Sequence, residues 1–152
     1  MEQVELKGQL DMLVGQPATK FTLHRDEMLL VDQISRIDSR SATCTWTVPE
    51  FHPLFTLDGQ IPAYVGIECM AQCIAVHAGA LESLKGKGPP LGLLLGTRHF
   101  EASCDHLEKG IELQISCLEI IRDAQGLASF ECEIKQEDLI VASCKLTVFQ
   151  VK

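Results

Sequence analysis

Two side chains in this sequence have the type and setting that proton transfer needs, His52 and Glu68. Glu68 is the one formally charged residue in the apolar run 61–81. Desolvation there favours the neutral carboxyl, so Glu68 could hold a proton near neutral pH and donate it. His52 stands on a loop, a setting in which imidazole commonly serves as general base. Together they form an acid and a base in different surroundings, suited to removing one proton and delivering another. Gln72, one helical turn after Glu68, shares its face and could bond the carboxylate or a main-chain group. The plainer readings are a loop histidine that only satisfies its neighbours and a carboxylate kept by a counter-ion. A buried Glu with neither task nor partner is too costly to keep.

The other candidates read as structural. His77 falls nine positions after Glu68, about 180° around a helix, and so cannot share its pocket. His24 with Arg25, and Arg98 with His99, read as solvated strand ends, though either arginine could reach a phosphate. His106 sits in a loop with no supporting constellation. Cys69 and Cys73 stand one turn apart, but no second pair completes a tetrahedral metal site. The seven cysteines include no CxxC, and six of them lie in apolar or alternating contexts where Cys packs as a small hydrophobe. Gly-rich phosphate cradles, a GxSxG elbow and a HExxH helix are absent.

These residues need elements to hold them. The run 61–81 reads as one helix of about six turns, with Pro62 in its first turn and the Lys85-Gly86-Lys87-Gly88-Pro89-Pro90 stretch breaking it at the far end. Its apolar residues point in several directions, so it must be wrapped on most sides. A membrane span would fit the length, but Glu68, Gln72 and His77 inside it argue against one. Residues 42–48 alternate, Ala42, Cys44, Trp46 and Val48 against Thr43, Thr45 and Thr47, which predicts a half-buried strand ended by Pro49. Further strands are expected over 28–34, 91–100, 111–121, 127–135 and 139–151, with one helical turn around Leu10, Met12, Leu13 and Val14. Strands grouped on both sides of a single long helix predict an α+β domain with a curved antiparallel sheet of about six strands. Glycine inside the strand 91–100 marks a bulge or a close approach to the backbone.

At 152 residues the chain is most simply one domain, residues 1–152. Thirteen Lys and Arg against 21 Asp and Glu give a formal net charge of −8, which argues against nucleic acid or an anionic membrane as the main partner. The first ten residues, MEQVELKGQL, lack the features of a signal peptide, so the cytoplasm is the expected location.

His52, followed by Pro62-Ala63-Tyr64-Val65-Gly66-Ile67-Glu68-Cys69-Met70-Ala71-Gln72, resembles the histidine loop and helix motif of the 3-hydroxyacyl-[acyl-carrier-protein] dehydratases of fatty acid synthesis. His24-Arg25 with Leu29-Leu30-Val31-Asp32, and Gly96 to Phe100, resemble two further motifs of that family. Residues 58–68, 93–98 and 148–150 look most like the dehydratase-like subunit of bacterial aryl polyene pigment clusters. The resemblance implies a hotdog fold, one helix inside one curved sheet, and a homodimer or a heterodimer with another hotdog subunit. It also implies a site at the subunit interface, with His52 from one subunit and Glu68 from the other. The substrate would be a 3-hydroxyacyl thioester on the phosphopantetheine of an acyl carrier protein, dehydrated to the trans-2-enoyl thioester. His52 would take the α proton. Glu68, steadied by Gln72, would protonate the departing hydroxyl, and no metal or redox cofactor is implied. Substrate contacts would fall at Ala63 and Tyr64 near the helix start and at Gly96 and Arg98 on the following strand. Three departures from the family pattern stand out: Ala63 replaces a glycine; the loop from His52 to Glu68 is longer, with Pro53 directly after His52; and an acidic chain would need local positive charge, at Lys85, Lys87, Arg98 or Arg25, to meet an acidic carrier protein. A hotdog thioesterase and a catalytically weak partner subunit are the alternative expectations.

Overall fold

The computed structural model describes residues 2–151. The first helix, α1 (Gln3–Asp11), has one buried residue, Leu10. The apolar group 10–14 is thus where this helix ends, with Met12 and Val14 exposed, and not a turn of its own. Single 3-10 turns at Ala18–Lys20 and Asp26–Met28 lead to β1 (Gln33–Ile37) and β2 (Ser41–Thr47). β1 starts later than the apolar run 28–34 suggests. Main-chain N–H groups of Leu30 and Val31 go to the side chain of Gln72, not to a neighbouring strand. In β2 the expected alternation holds, with Ala42, Cys44 and Trp46 buried.

The long helix also starts later than expected. Ile61–Pro62 is a short strand, β3, paired with β5 (His106–Leu107), and a 3-10 turn over Ala63–Val65 precedes α2 (Gly66–Ser83). Pro62 is extended, with ψ 146°, which keeps the helix from forming there. β4 (Gly92–Ala102), β6 (Glu112–Arg122), β7 (Leu127–Gln136) and β8 (Leu139–Gln150) complete the chain. Six strands form one antiparallel sheet in the order β1-β2-β6-β7-β8-β4, so that β1 and β4 are its two edges.

The sheet curls around α2. Ala42 faces Cys117, Cys117 faces Cys132 and Cys132 faces Cys144 across four strands, and all four are buried. Six of the seven cysteines are buried and all are free, consistent with their packing as small hydrophobes. Phe130, Ile134, Ile115, Leu113 and Leu146 line the same concave face, each contributing roughly 1.5–3 kcal/mol by leaving water. The stretch Ala63–Ser83 has the length and mean hydropathy, 1.3, of a membrane span, and most of it is buried within the fold. Gly79 lets α2 meet the chain before β1, since a Cβ there would lie 1.7 Å from Phe21 O. This is the hotdog arrangement that the element order predicts.

Candidate active site

One stripe of α2 escapes the sheet. Glu68, Ala71, Ala75 and Ala78 follow one another at helical spacing and are only half-buried, while Cys69, Met70, Cys73, Val76 and Ala80 are buried. Between this stripe and the inner side of β4 and β8 runs a groove of about 600 Å³. Its walls are mostly apolar, with Ile74, Leu91, Leu94, Val148 and Phe149 among them, and the polar groups His24, Arg25 and Glu68 share one end.

Glu68 is held by two neighbours. His24 Nε2 lies 3.5 Å from Glu68 Oε1, and Gln72 Nε2 donates to the same oxygen at 3.0 Å. Burial raises the Glu68 carboxyl, but the hydrogen bonds from His24 and Gln72 and the charge of His24 outweigh it and leave the group below its ordinary value. Within this chain Glu68 is therefore a carboxylate, the reverse of the neutral acid that an apolar helix suggests. The reason is that its neighbours along the chain are apolar while its neighbours in space are donors.

Gln72, fully buried, uses both ends of its amide. Oε1 accepts from Leu30 N at 2.8 Å and Val31 N at 3.4 Å, and Nε2 donates to Met28 O at 2.6 Å as well as to Glu68. It fastens the segment 28–31 to α2 and orients the carboxylate, so both of its sequence readings are realised together. His24 is fastened from the other side. Its Nδ1 lies 2.6 Å from Thr22 Oγ1, and Arg25 folds its guanidinium back onto Thr22 O and His24 O. His24 and Arg25 are thus a built corner of the groove and not solvated strand ends. Their motif precedes Leu29-Leu30-Val31-Asp32 in the sequence, which is the signal that could have drawn them into the site.

His52 takes a different place. Its Nε2 lies 2.8 Å from Glu27 O, and its Nδ1 accepts from Leu54 N at 3.1 Å and Phe55 N at 3.3 Å. The ring is buried, stacks at a tilt on Phe55, and ties the loop 50–60 to the residue before Met28. It does not line the groove that holds Glu68. Nor do Ala63, Tyr64, Gly96 or Arg98. Ala63 gives its N–H to Asp105 O at 2.9 Å, because β3 pairs with β5 at that point. Tyr64 is exposed, and Gly96 and Arg98 stand on the edge strand β4, opposite Thr147 and Lys145. Among the described residues no cluster of His, Cys, Asp and Glu could hold a metal ion.

A long helix enclosed by a six-stranded antiparallel sheet, with a held carboxylate facing a groove, defines a hotdog-fold protein. Residues 16–152 match the model of the ApeP-like family, described as ApeP dehydratase, and the chain belongs to that family. It is similar to the dehydratase heterocomplex ApeI:P from Xenorhabdus doucetiae, at 26% identity over 90% of this chain and 91% of that one, with a TM-score of 0.83. The TT0310 protein from Thermus thermophilus shares the fold, at 18% identity over 84% of this chain and 100% of that one and a TM-score of 0.60. So does a hypothetical thioesterase protein with coenzyme A from Streptococcus pneumoniae, at 12% identity over 78% of this chain and 87% of that one and a TM-score of 0.58. No curated protein matches the sequence.

Proposed function

We propose that this chain is one subunit of a dehydratase that removes water from a 3-hydroxyacyl thioester, carried on the phosphopantetheine of an acyl carrier protein, in fatty acid or polyene assembly. The observation that carries the reading is the carboxyl of Glu68, held by His24 and Gln72 at the polar end of an apolar groove. Elimination needs a base for the α proton and an acid for the β hydroxyl, both close to adjacent carbons of the substrate. Glu68 takes the α proton. In its protonated form His24 donates from Nδ1 to Thr22 Oγ1 and from Nε2 towards Glu68, and it passes the Nε2 proton to the departing hydroxyl, which leaves as water. The proton on Glu68 then returns to His24 and resets the pair. The groove walls accept the acyl chain and keep bulk water from the reacting carbons.

A second hotdog subunit is part of this reading. β4 is an unpaired edge with Leu93, Leu94 and Leu95 exposed, and it borders the groove, so a partner strand laid along it would roof the site. The match to a heterocomplex favours a related subunit in that place. His52 reaching across such an interface is the second reading, favoured by the motif it shares with dehydratases. There it would have to release one of its main-chain partners to act as base.

Carrier-linked 3-hydroxyacyl substrate, offered to the chain alone and with a candidate hotdog partner, tests these readings. Glu68→Gln and His24→Ala should each lower water release by at least about a hundredfold. Full activity of Glu68→Gln with the partner would make this chain a supporting subunit. A loss for His52→Ala as large as that for Glu68→Gln, at an unchanged melting temperature, would move the base to His52. Release of free thiol in place of water would mean a thioesterase.

A further inference from the structure

We propose that Arg122 makes the groove selective for an acyl chain that carries an oxygen acceptor, a carboxylate or a hydroxyl, at the end remote from the thioester. The inference rests on the reading of the groove as the acyl site. Arg122 stands opposite Ala128, Ala128 opposite Val148, and Val148 opposite Leu94, one row across β6, β7, β8 and β4. Ala128 is buried on the concave face, so the row points inward, and Arg122 lines the groove and not the outer surface.

Arg122 also lies at the far end. Its charge acts on His77, the residue before Ala78, and Ala78 is the last groove-lining residue of α2. The rise from Glu68 to Ala78 is about 15 Å at 1.5 Å per residue, the span of an extended chain of about twelve atoms. Ala71 and Ala75 keep that stretch open. Among the described residues Arg122 is the one charged side chain lining the groove away from the Glu68 end.

An ion pair from Arg122 Nε to Glu119 Oε1 at 2.6 Å fixes the guanidinium. A fixed guanidinium still has donors beyond Nε to offer. A chain ending in a methyl group would strip water from it and return nothing, while an oxygen at that position would accept from it. The same guanidinium could meet the phosphate of a pantetheine arm lying the other way. The apolar walls give that arm's amides few partners, which favours the acyl orientation.

The test uses dodecanoyl-length thioethers of N-acetylcysteamine ending in methyl, hydroxyl or carboxylate, titrated calorimetrically against the full chain with its partner subunit where one is required. The carboxylate and hydroxyl forms should bind roughly tenfold or more tightly than the methyl form. Arg122→Gln should erase that preference by weakening the carboxylate and hydroxyl forms and tightening the methyl form, which no longer desolvates a charge, and Ala75→Leu, which fills the slot, should weaken all three alike. Equal loss on all three ligands in Arg122→Gln would show that the guanidinium does not read the remote end of the chain and would overturn the inference. So would equal affinities in the unmodified chain, or no binding at all. Matching 3-hydroxy thioesters report separately on water release. Preference without water release would sustain the selectivity and remove the dehydratase reading, and water release without preference would do the opposite.

Discussion

At the scale of single residues, His77 carries a consequence for stability. It is fully buried, donates from Nε2 to Asp38 O at 3.1 Å, and its Nδ1 finds no partner among the described residues. Burial holds the imidazole below its ordinary value of 6.5, and the Asp38 carbonyl with the charges of Glu119 and Asp38 only partly offset this, while Arg122 adds to it. The folded state therefore keeps His77 neutral where the unfolded chain takes up a proton. Stability from this group is complete above pH 6.5 and falls as the pH drops towards the lowered folded value, with a slope of at most about 1.4 kcal/mol per pH unit. His77→Gln keeps a donor for Asp38 O and removes the titration. Denaturant unfolding from pH 7.5 to 5.5 should show the unmodified protein losing stability faster than this variant, and parallel curves would assign the acid sensitivity elsewhere. Glu68 differs from His77 because its donors exceed its burial, and it stays charged where His77 stays neutral.

At the scale of elements, α2 depends on the absence of a side chain at Gly79. A Cβ there would collide with the backbone of Phe21, one residue before Thr22, which positions His24. Gly79→Ala should lower unfolding free energy by at least about 2 kcal/mol, since a backbone obstacle cannot yield as a flexible side chain does. It should also cut activity by displacing the corner at Thr22 and His24. Gly88→Ala, with nothing within 4 Å, should leave both nearly unchanged in chemical denaturation and turnover assays. Period-two burial revealed β2, and a run apolar on every side revealed α2, because burial pattern and element period coincide there. The start of α2 and the start of β1 were not readable, since both are set by distant partners, β5 for Ile61–Pro62 and Gln72 for Leu30 and Val31. Glu68 and Gln72 stood out as polar residues among apolar ones. His24 did not, because its place beside Glu68 comes from the way Gln72 and Arg25 fold the segment 22–31 against the helix, which no local spacing encodes.

At the scale of the whole molecule, the two edges of the sheet are treated differently. A long edge strand with Leu93, Leu94 and Leu95 exposed at 47%, 45% and 58% is a template for another strand and a hazard if left bare. The opposite edge, β1, is shielded instead, by an isolated bridge from Pro17 to Gln33 and by the turn in which Gly15 N bonds Ile34 O. One edge is thus closed by the chain's own amino-terminal segment, and the other borders the groove. Leu95 sits in the irregular stretch between Leu94 and Gly96 and is absent from the groove lining, so a charge there acts on association without touching Glu68 or the acyl walls. Burying an unpaired carboxylate under a partner strand costs several kcal/mol, enough to dissociate a subunit pair of ordinary affinity. If the proposed partner strand roofs the groove, Leu95→Glu should sediment as a monomer, keep the far-ultraviolet circular dichroism of the unmodified chain, and lose the proposed water release. A Leu95→Glu protein that keeps the mass of the unmodified assembly would place the subunit contact on another face and leave the site to a single chain.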